Sequence, residues 1–306
     1  MKILFAGSPH SSAEILQNLS NADCEVVGVI SQPDKRTKRR GDLEPTEVSA
    51  MAMELEIPLY KPNKLDEEFK QLILEIECDY LVVSAYGKIL PDWLLKHPKI
   101  APINIHFSLL PKYRGASPIQ SVLLNGDTHS GISIMKMTSG LDEGPVYAVN
   151  ELKISVSANK INLEKDLTAL CKKVLMSSLI SISKNEIMPI SQKHENASYC
   201  KKITKNSGRV DFLKEDSLSI MRKFKAFNEW PGLFFEQNNT LIKIHGMSRA
   251  TGIMVDDNLR NFDFVDSGIL IKTLDSAIVI THLQFPSKKV ITAADAANSY
   301  ADFFTA

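Results

Sequence analysis

An asparagine and a histidine stand two residues apart in the stretch INIHFSLLPKYRGASP, residues 103–118. The stretch begins with apolar residues typical of a short strand and continues into a loop rich in Pro, Gly and Ser. On an extended backbone, Asn104 and His106 leave the same face of the strand. An amide donor beside an imidazole can stabilise a developing oxyanion and move a proton. The pair therefore indicates chemistry at the end of a strand, where open α/β sheets place their sites.

A carboxylate that could complete this pair is Asp142, in the sequence Gly-Leu-Asp-Glu-Gly at 140–144. The flanking glycines allow the backbone to turn sharply. Each residue also has an ordinary interpretation, since a single His is more often structural and an Asp between glycines is most often a turn residue. The three residue types alone therefore leave both interpretations open.

The complete string at 104–115, Asn-x-His-x-Ser-Leu-Leu-Pro-x-Tyr-Arg-Gly, followed by Gly-Leu-Asp-x-Gly, resembles the signature of folate-dependent formyltransferases. Members of that family transfer a formyl group from 10-formyltetrahydrofolate to an amine. The resemblance implies that Asn104, His106 and Asp142 are the catalytic residues. Asn104 would donate to the oxyanion, His106 would supply a proton, and Asp142 would orient His106 and help to take the proton that the amine loses. No metal is called for.

A second loop implies a folate pocket. The run Asp79 to Ala85 is almost continuously apolar, as expected of a strand buried on both faces, and it ends in Tyr-Gly-Lys-Ile-Leu-Pro at 86–91. This string resembles the family loop that lines the site of the pterin ring. By the same resemblance, the predicted folate-binding residues are Tyr86, Gly87, Leu90, Ser108, Leu109, Leu110 and Pro111.

The elements that must position these residues begin with a strand at Ile3 to Ala6, a helical pattern and a second strand at Glu25 to Ile30. This spacing predicts a βαβ unit and a Rossmann-like, doubly wound, mostly parallel sheet. A dinucleotide site would require G-x-G-x-x-G after the first strand, but only Gly7 is present. The sequence therefore argues against NAD or FAD.

The second half predicts a different architecture. Short alternating runs separated by turns, at 233–236, 241–245, 268–274 and 277–283, predict a small, OB-like β-barrel. The string Lys-Ala-Phe-Asn-Glu-Trp-Pro at 225–231 resembles the C-terminal domain of the family members that act on initiator methionyl-tRNA. We expect a catalytic domain at 1–189, a linker at 190–207 and a tRNA-binding barrel at 208–306.

Two basic segments have two interpretations each. Five of the six residues from Lys35 to Arg40 are basic, and basic residues also dominate from Tyr199 to Lys225. Either segment could be a solvated surface or a phosphate-binding surface. The resemblance favours the second, although Lys38 stands where the family usually has Gly. The predicted tRNA-binding residues are Lys35, Arg36, Lys38, Arg39, Arg40, Lys201, Lys202 and Arg209.

The composition limits the other possibilities. Lys plus Arg and Asp plus Glu each number 36 in 306 residues, so zero net charge gives no general attraction to nucleic acid. The four cysteines are scattered, without metal-ligand spacing, and no apolar run approaches the roughly 18 residues of a spanning helix. We expect a cytoplasmic monomer without a membrane segment or a metal.

The sequence thus predicts formyl transfer from 10-formyltetrahydrofolate to the α-amine of initiator methionyl-tRNA. Small-molecule amine formyltransferases and formyltetrahydrofolate hydrolases share the catalytic residues and remain alternatives. These relatives would not need both the basic loop and a basic barrel. A nucleic-acid-binding module with a decayed catalytic domain is disfavoured, because all three catalytic residue types are present.

Overall fold

The computed structural model describes residues 1–36, 41–250 and 261–305. The strands are β1 (Lys2–Gly7), β2 (Glu25–Ile30), β3 (Lys35–Arg36), β4 (Leu43–Glu44), β5 (Leu59–Tyr60), β6 (Tyr80–Ser84), β7 (Ala101–His106), β8 (Arg114–Gly115), β9 (His129–Lys136), β10 (Val146–Lys153), β11 (Tyr199–Cys200), β12 (Leu233–Gln237), β13 (Thr240–Arg249), β14 (Phe262–Val265), β15 (Gly268–Lys272), β16 (Ala277–Gln284) and β17 (Ile291–Thr292). The helices are α1 (His10–Ser20), α2 (Glu47–Glu54), α3 (Glu67–Leu74), α4 (Asp92–Leu95), α5 (Pro118–Asn125), α6 (Lys160–Ser183), α7 (Ser217–Ala226) and α8 (Ala293–Thr305), with 3-10 turns at His194–Asn196 and Lys205–Gly208.

The main sheet has seven strands in the order β10-β9-β7-β6-β1-β2-β5. The five strands from β7 to β5 are parallel, whereas β9 and β10 are antiparallel additions at one edge. The chain moves outward from β1 to β2 and β5, and then returns to the other side of β1 with β6 and β7. The carboxyl ends of β1 and β6 therefore form a topological switch point, where doubly wound sheets bind ligands. The predicted Rossmann-like sheet is confirmed.

The core around this sheet explains why the central strands are so apolar. Every residue of β6 is buried, and Leu81 and Val83 pack in one cluster with Phe69 and Ile73 of α3. The opposite side of the strand is also covered, since the hydroxyl of Tyr80 donates to the carbonyl oxygen of Leu179 in α6 at 2.8 Å. Both faces of the strand are thus held, and the loop that follows starts from a fixed position.

The chain divides into two compact units. The first comprises Met1–Ile119, Thr128–Ser155 and Asn162–Lys201, and the second comprises Gln120–Asp127, Val156–Ile161 and Lys202–Ala306. The second unit contains the antiparallel sheet β12-β13-β16-β15-β14, with β17 paired to β16. The predicted C-terminal domain of antiparallel strands is confirmed. The boundaries predicted at 189 and 208 stay a prediction.

The described helices and side chains bear on two further expectations. None of the helices in the described ranges is long and apolar enough to cross a membrane. Among the same residues, no group of three or more His, Cys, Asp or Glu side chains is arranged to hold a metal ion. All four cysteines are free thiols.

Candidate active site

The three predicted catalytic side chains come together at the carboxyl end of β7. Asn104 and His106 lie on that strand, and Asp142 lies in the loop between β9 and β10. The Asn104 Nδ2 atom donates to Asp142 Oδ1 at 3.3 Å, and His106 Nδ1 lies 3.7 Å from Asp142 Oδ2. An amide, an imidazole and a carboxylate therefore share one small region, although they are up to 38 positions apart in sequence.

The partners of His106 define which ring nitrogen can exchange a proton. His106 is 5% exposed, and the Nε2 atom of its imidazole lies 2.8 Å from the carbonyl oxygen of Tyr113. Because a carbonyl oxygen only accepts, Nε2 must carry a hydrogen. The nitrogen on the Asp142 side, Nδ1, is then the one that can take up or release a proton.

The orientation of the Asp142 carboxylate depends on the backbone conformations of Asp142 and Gly115, which most residue types rarely adopt. Asp142 itself has a left-handed backbone with φ of 48°, and its Oδ2 accepts a 2.8 Å hydrogen bond from the N–H of Gly115. Gly115 has φ of 115°, and a Cβ atom there would lie 2.5 Å from the carbonyl oxygen of Cys200. Only glycine fits this position. In this conformation the Gly115 N–H faces the Asp142 carboxylate.

The two predicted folate-binding loops leave the same edge of the sheet, because β6 and β7 are parallel neighbours. In the first loop Tyr86 and Leu90 are buried, whereas Gly87 is exposed. In the second, Ser108 and Leu110 are buried, and Leu109 and Pro111 are half-buried. Ser133 on β9 holds this second loop, since its Oγ donates to the Ser108 carbonyl at 2.7 Å and accepts from the Leu110 N–H at 3.0 Å.

The first loop has features that suit a planar ligand with a polar edge. Gly87 has φ of 82°, and among the described residues a Cβ there would meet a single neighbour within 4 Å, Gln32 Nε2 at 3.9 Å. Ile89 is 90% exposed, which leaves an apolar surface uncovered within the described chain. The buried hydroxyl of Tyr86 has no partner among the described residues, and burial raises its pKa to about 12. An uncovered apolar side chain is a surface that a planar ligand could pack against, and folate binding by this loop stays a prediction.

Two residues whose roles the sequence does not indicate also support the site. Arg114 is fully buried, and its Nε and Nη2 atoms donate to Gln192 Oε1 at 3.0 and 2.8 Å. Gln192 in turn donates to the carbonyl oxygens of Asp142 and Gly144 at 2.8 and 2.7 Å. Gln192 lies in the segment that the sequence predicts to be a linker, and no local pattern distinguishes it.

Comparison with known proteins assigns most of the chain to one family. Residues 1–179 match the family described as Formyl transferase, and residues 202–301 match its C-terminal domain. The chain belongs to the formyl transferase family. The resemblance predicted from the residues at 104–115 and 140–144 is confirmed.

Full-length relatives in the formyl transferase family include two curated methionyl-tRNA formyltransferases. The protein from Caldicellulosiruptor saccharolyticus is 37% identical over 98% of this chain and 97% of its own length. The protein from Nitratiruptor sp. is 39% identical over 96% of this chain and 95% of its own length. An N-formyltransferase from Helicobacter canadensis, solved with folinic acid and dTDP-3-aminofucose, shares the fold, with a TM-score of 0.67 and 19% identity over 92% of this chain and 98% of that chain.

The basic residues of this formyl transferase are only partly described. Lys35 and Arg36 are exposed on the short hairpin of β3 and β4, whereas Lys38, Arg39 and Arg40 lie outside the described residues. Lys201 and Lys202 are exposed. Arg209 is also exposed, and its guanidinium lies 3.3 Å from the Glu236 carboxylate. The prediction that these residues bind tRNA stays a prediction.

Proposed function

We propose that this formyl transferase moves a formyl group from 10-formyltetrahydrofolate to the α-amine of initiator methionyl-tRNA. The observation that carries the proposal is full-length similarity, at 35–39% identity, to four proteins named methionyl-tRNA formyltransferase. These relatives cover the catalytic sheet and the C-terminal strands together. The Asn104, His106 and Asp142 arrangement supplies the groups that the reaction requires.

The proposed chemistry assigns one task to each side chain. The bound donor supplies the formyl carbon that the amine attacks. Asn104 donates one N–H to the formyl oxygen as negative charge develops there, while its other N–H remains on Asp142. His106 supplies the proton at Nδ1 that the departing folate nitrogen requires. Asp142 holds His106 and accepts the proton that the attacking amine loses.

The remaining proposed residues bind and orient the substrates. The loops at 86–91 and 108–111 hold the folate between apolar side chains and backbone polar groups. Lys35, Arg36, Lys201, Lys202 and Arg209, with Lys38, Arg39 and Arg40, contact phosphates of the tRNA. Phosphate contacts position a nucleic acid and make its binding depend on salt.

A direct assay tests the substrate. The purified chain is incubated with 10-formyltetrahydrofolate and methionyl-tRNA charged on the initiator, and parallel reactions contain elongator methionyl-tRNA, a nucleotide-linked amino sugar, glycinamide ribonucleotide or no amine. We expect formylation of the initiator substrate alone. Formylation of only a small amine would identify a small-molecule formyltransferase, and donor consumption without an amine would identify a hydrolase. Either result would overturn the proposal.

A further inference from the structure

The side chain of Arg114 is buried without an acidic partner in the part of the chain that the structure describes. Its side-chain contacts are Gln192, the Nδ1 atom of His194 at 3.3 Å and the hydroxyl of Tyr199 at 3.2 Å, and none of these is a carboxylate. The guanidinium also lies 5.8 Å from the centre of the Tyr199 ring. Burying a cation costs free energy even when its N–H groups are bonded. A functional role would explain why this arrangement is present.

The Gln192 amide connects the Arg114 guanidinium to the loop that carries Asp142 through hydrogen bonds. Its oxygen accepts two N–H groups from Arg114, and its nitrogen donates to two backbone carbonyls, those of Asp142 and Gly144. The amide orientation is determined by these partners, because the reverse orientation would face donors with donors and acceptors with acceptors. Hydrogen bonding to a cation also polarises the amide and strengthens both donations.

These two donations hold a backbone that would otherwise relax. The carbonyls of Asp142 and Gly144 flank a turn, and Asp142 occupies the left-handed region that non-glycine residues rarely adopt. Such a conformation costs on the order of 1–3 kcal/mol and persists only where surrounding contacts impose it. The same conformation directs the carboxylate to the Gly115 N–H and toward His106.

From these contacts we infer that Gln192, locked in place by Arg114, is a positioning residue for Asp142. It holds the Asp142 backbone so that the carboxylate faces His106 and Gly115. Loss of the two donations would leave Asp142 present but misdirected. The inference rests on the proposed catalytic role of Asp142.

The decisive variant is Gln192→Glu, which has nearly the same shape. A glutamate still accepts the two N–H groups of Arg114, so the buried cation gains a charged partner. It has no N–H to offer the carbonyls of Asp142 and Gly144, so the loop is released. We expect kcat to fall by roughly 10–100-fold, since small displacements of a catalytic group have effects of this size. Gln17→Glu, on the exposed face of α1, is the matched control and should leave kcat unchanged.

A double-mutant cycle separates positioning from a general structural effect. If Gln192 acts through Asp142, then Gln192→Glu should lower the single-turnover rate much less in an Asp142→Asn background than in the wild type. Equal losses in both backgrounds would overturn the inference, as would an unchanged rate in the wild-type background. If Gln192→Glu does not fold, then Gln192→Ala, which also removes both donations, is carried through the same cycle.

A second readout does not require activity. The Gly115 amide signal can be observed by labelling with ¹³C-carbonyl Arg and ¹⁵N-Gly, because Arg precedes Gly only at 40–41 and 114–115. The signal that moves in Asp142→Asn identifies Gly115. We expect Gln192→Glu to move the same signal, and an unmoved signal would refute the inference. A wild-type chain that formylates nothing would refute the proposed function alone, since the amide signal still reports on the loop.

Discussion

Asn104→Ala should lower the rate of formyl transfer without weakening substrate binding. The Asn104 Nδ2 atom uses one N–H on Asp142 Oδ1 at 3.3 Å, and an amide nitrogen carries a second N–H that can serve the formyl oxygen. Removing one oxyanion donor typically costs about 2.7–4 kcal/mol of transition-state stabilisation, which corresponds to a kcat lower by about 10²–10³-fold. Because that interaction strengthens only as charge develops, KM should change little.

Asn104→Asp should be more damaging than Asn104→Ala, although it is closer in shape. It replaces the donor with an oxygen about 3.3 Å from Asp142 Oδ1. At an effective dielectric constant of about 20, two negative charges at this distance repel by about 5 kcal/mol. The repulsion would turn the Asp142 carboxylate away from its present direction. We therefore expect an activity below that of the alanine variant.

The assay is steady-state formylation of initiator methionyl-tRNA, with kcat and both KM values measured separately. Asn18→Ala is the matched control, because Asn18 is a half-buried asparagine on α1 of the same unit. The reasoning would be refuted if Asn104→Ala raised the KM for the folate and left kcat unchanged, since Asn104 would then be a binding residue. A kcat for Asn104→Asp equal to that of the wild type would refute the electrostatic part.

Three further substitutions test other parts of the structure. Tyr86→Phe removes a buried hydroxyl that has no partner in the described chain, so the melting temperature should stay the same or rise. Because burial raises the pKa of Tyr86 to about 12, its contribution to stability is complete below about pH 10 and is lost as the pH rises through 12. Denaturant titrations across that range should show a smaller loss in the variant, and identical losses would contradict the raised pKa. Gly115→Ala should destabilise the fold by more than about 2 kcal/mol, because its Cβ would meet the Cys200 carbonyl oxygen. Gly41→Ala, where a Cβ would meet nothing within 4 Å among the described residues, should cost only about 1 kcal/mol in thermal denaturation. Arg39→Ala should raise the KM for tRNA and reduce the salt dependence of tRNA binding by about one phosphate contact, and an unchanged salt slope would exclude this role.

The elements with a strong periodic pattern could be predicted from the sequence. The apolar run at 79–85 predicts a buried strand, and β6 spans Tyr80–Ser84. Apolar residues at helical spacing from Asn159 to Ser183 predict a long amphipathic helix, and α6 spans Lys160–Ser183. Pairs of very short strands have no periodic hydrophobic pattern. The two-residue strands β8 and β11 pair across 85 positions, with Tyr199 opposite Arg114, and no local pattern could identify them. β14, Phe262–Val265, has no clear signal either, because a run of four residues is too short to establish a period of two.

The proposed catalytic residues could be selected from the sequence because they lie within a dense motif, whereas the residues that support them could not. Asn104, His106 and Asp142 stand in strings that fix many positions. Arg114 belongs to the same string, but charged residues are seldom fully buried, so its burial was not expected. Gln192 acts on backbone carbonyls that lie 48 and 50 positions away. Every residue has a backbone carbonyl, so a hydrogen bond to that carbonyl requires no particular side chain at the same position. The sequence therefore contains no pattern that reveals the contacts of Gln192.

The contacts of Gln192 and Tyr199 also determine where a chimaera of this protein with a relative should be joined. The match to the catalytic family ends at residue 179, and a chimaera joined just after it would keep every proposed catalytic side chain. It would nevertheless replace Gln192, which donates to the Asp142 carbonyl, and β11, which pairs with Arg114 of β8. A junction after Lys201 keeps both with their native neighbours, so hybrids made there should preserve the proposed catalytic arrangement better than hybrids joined after residue 179.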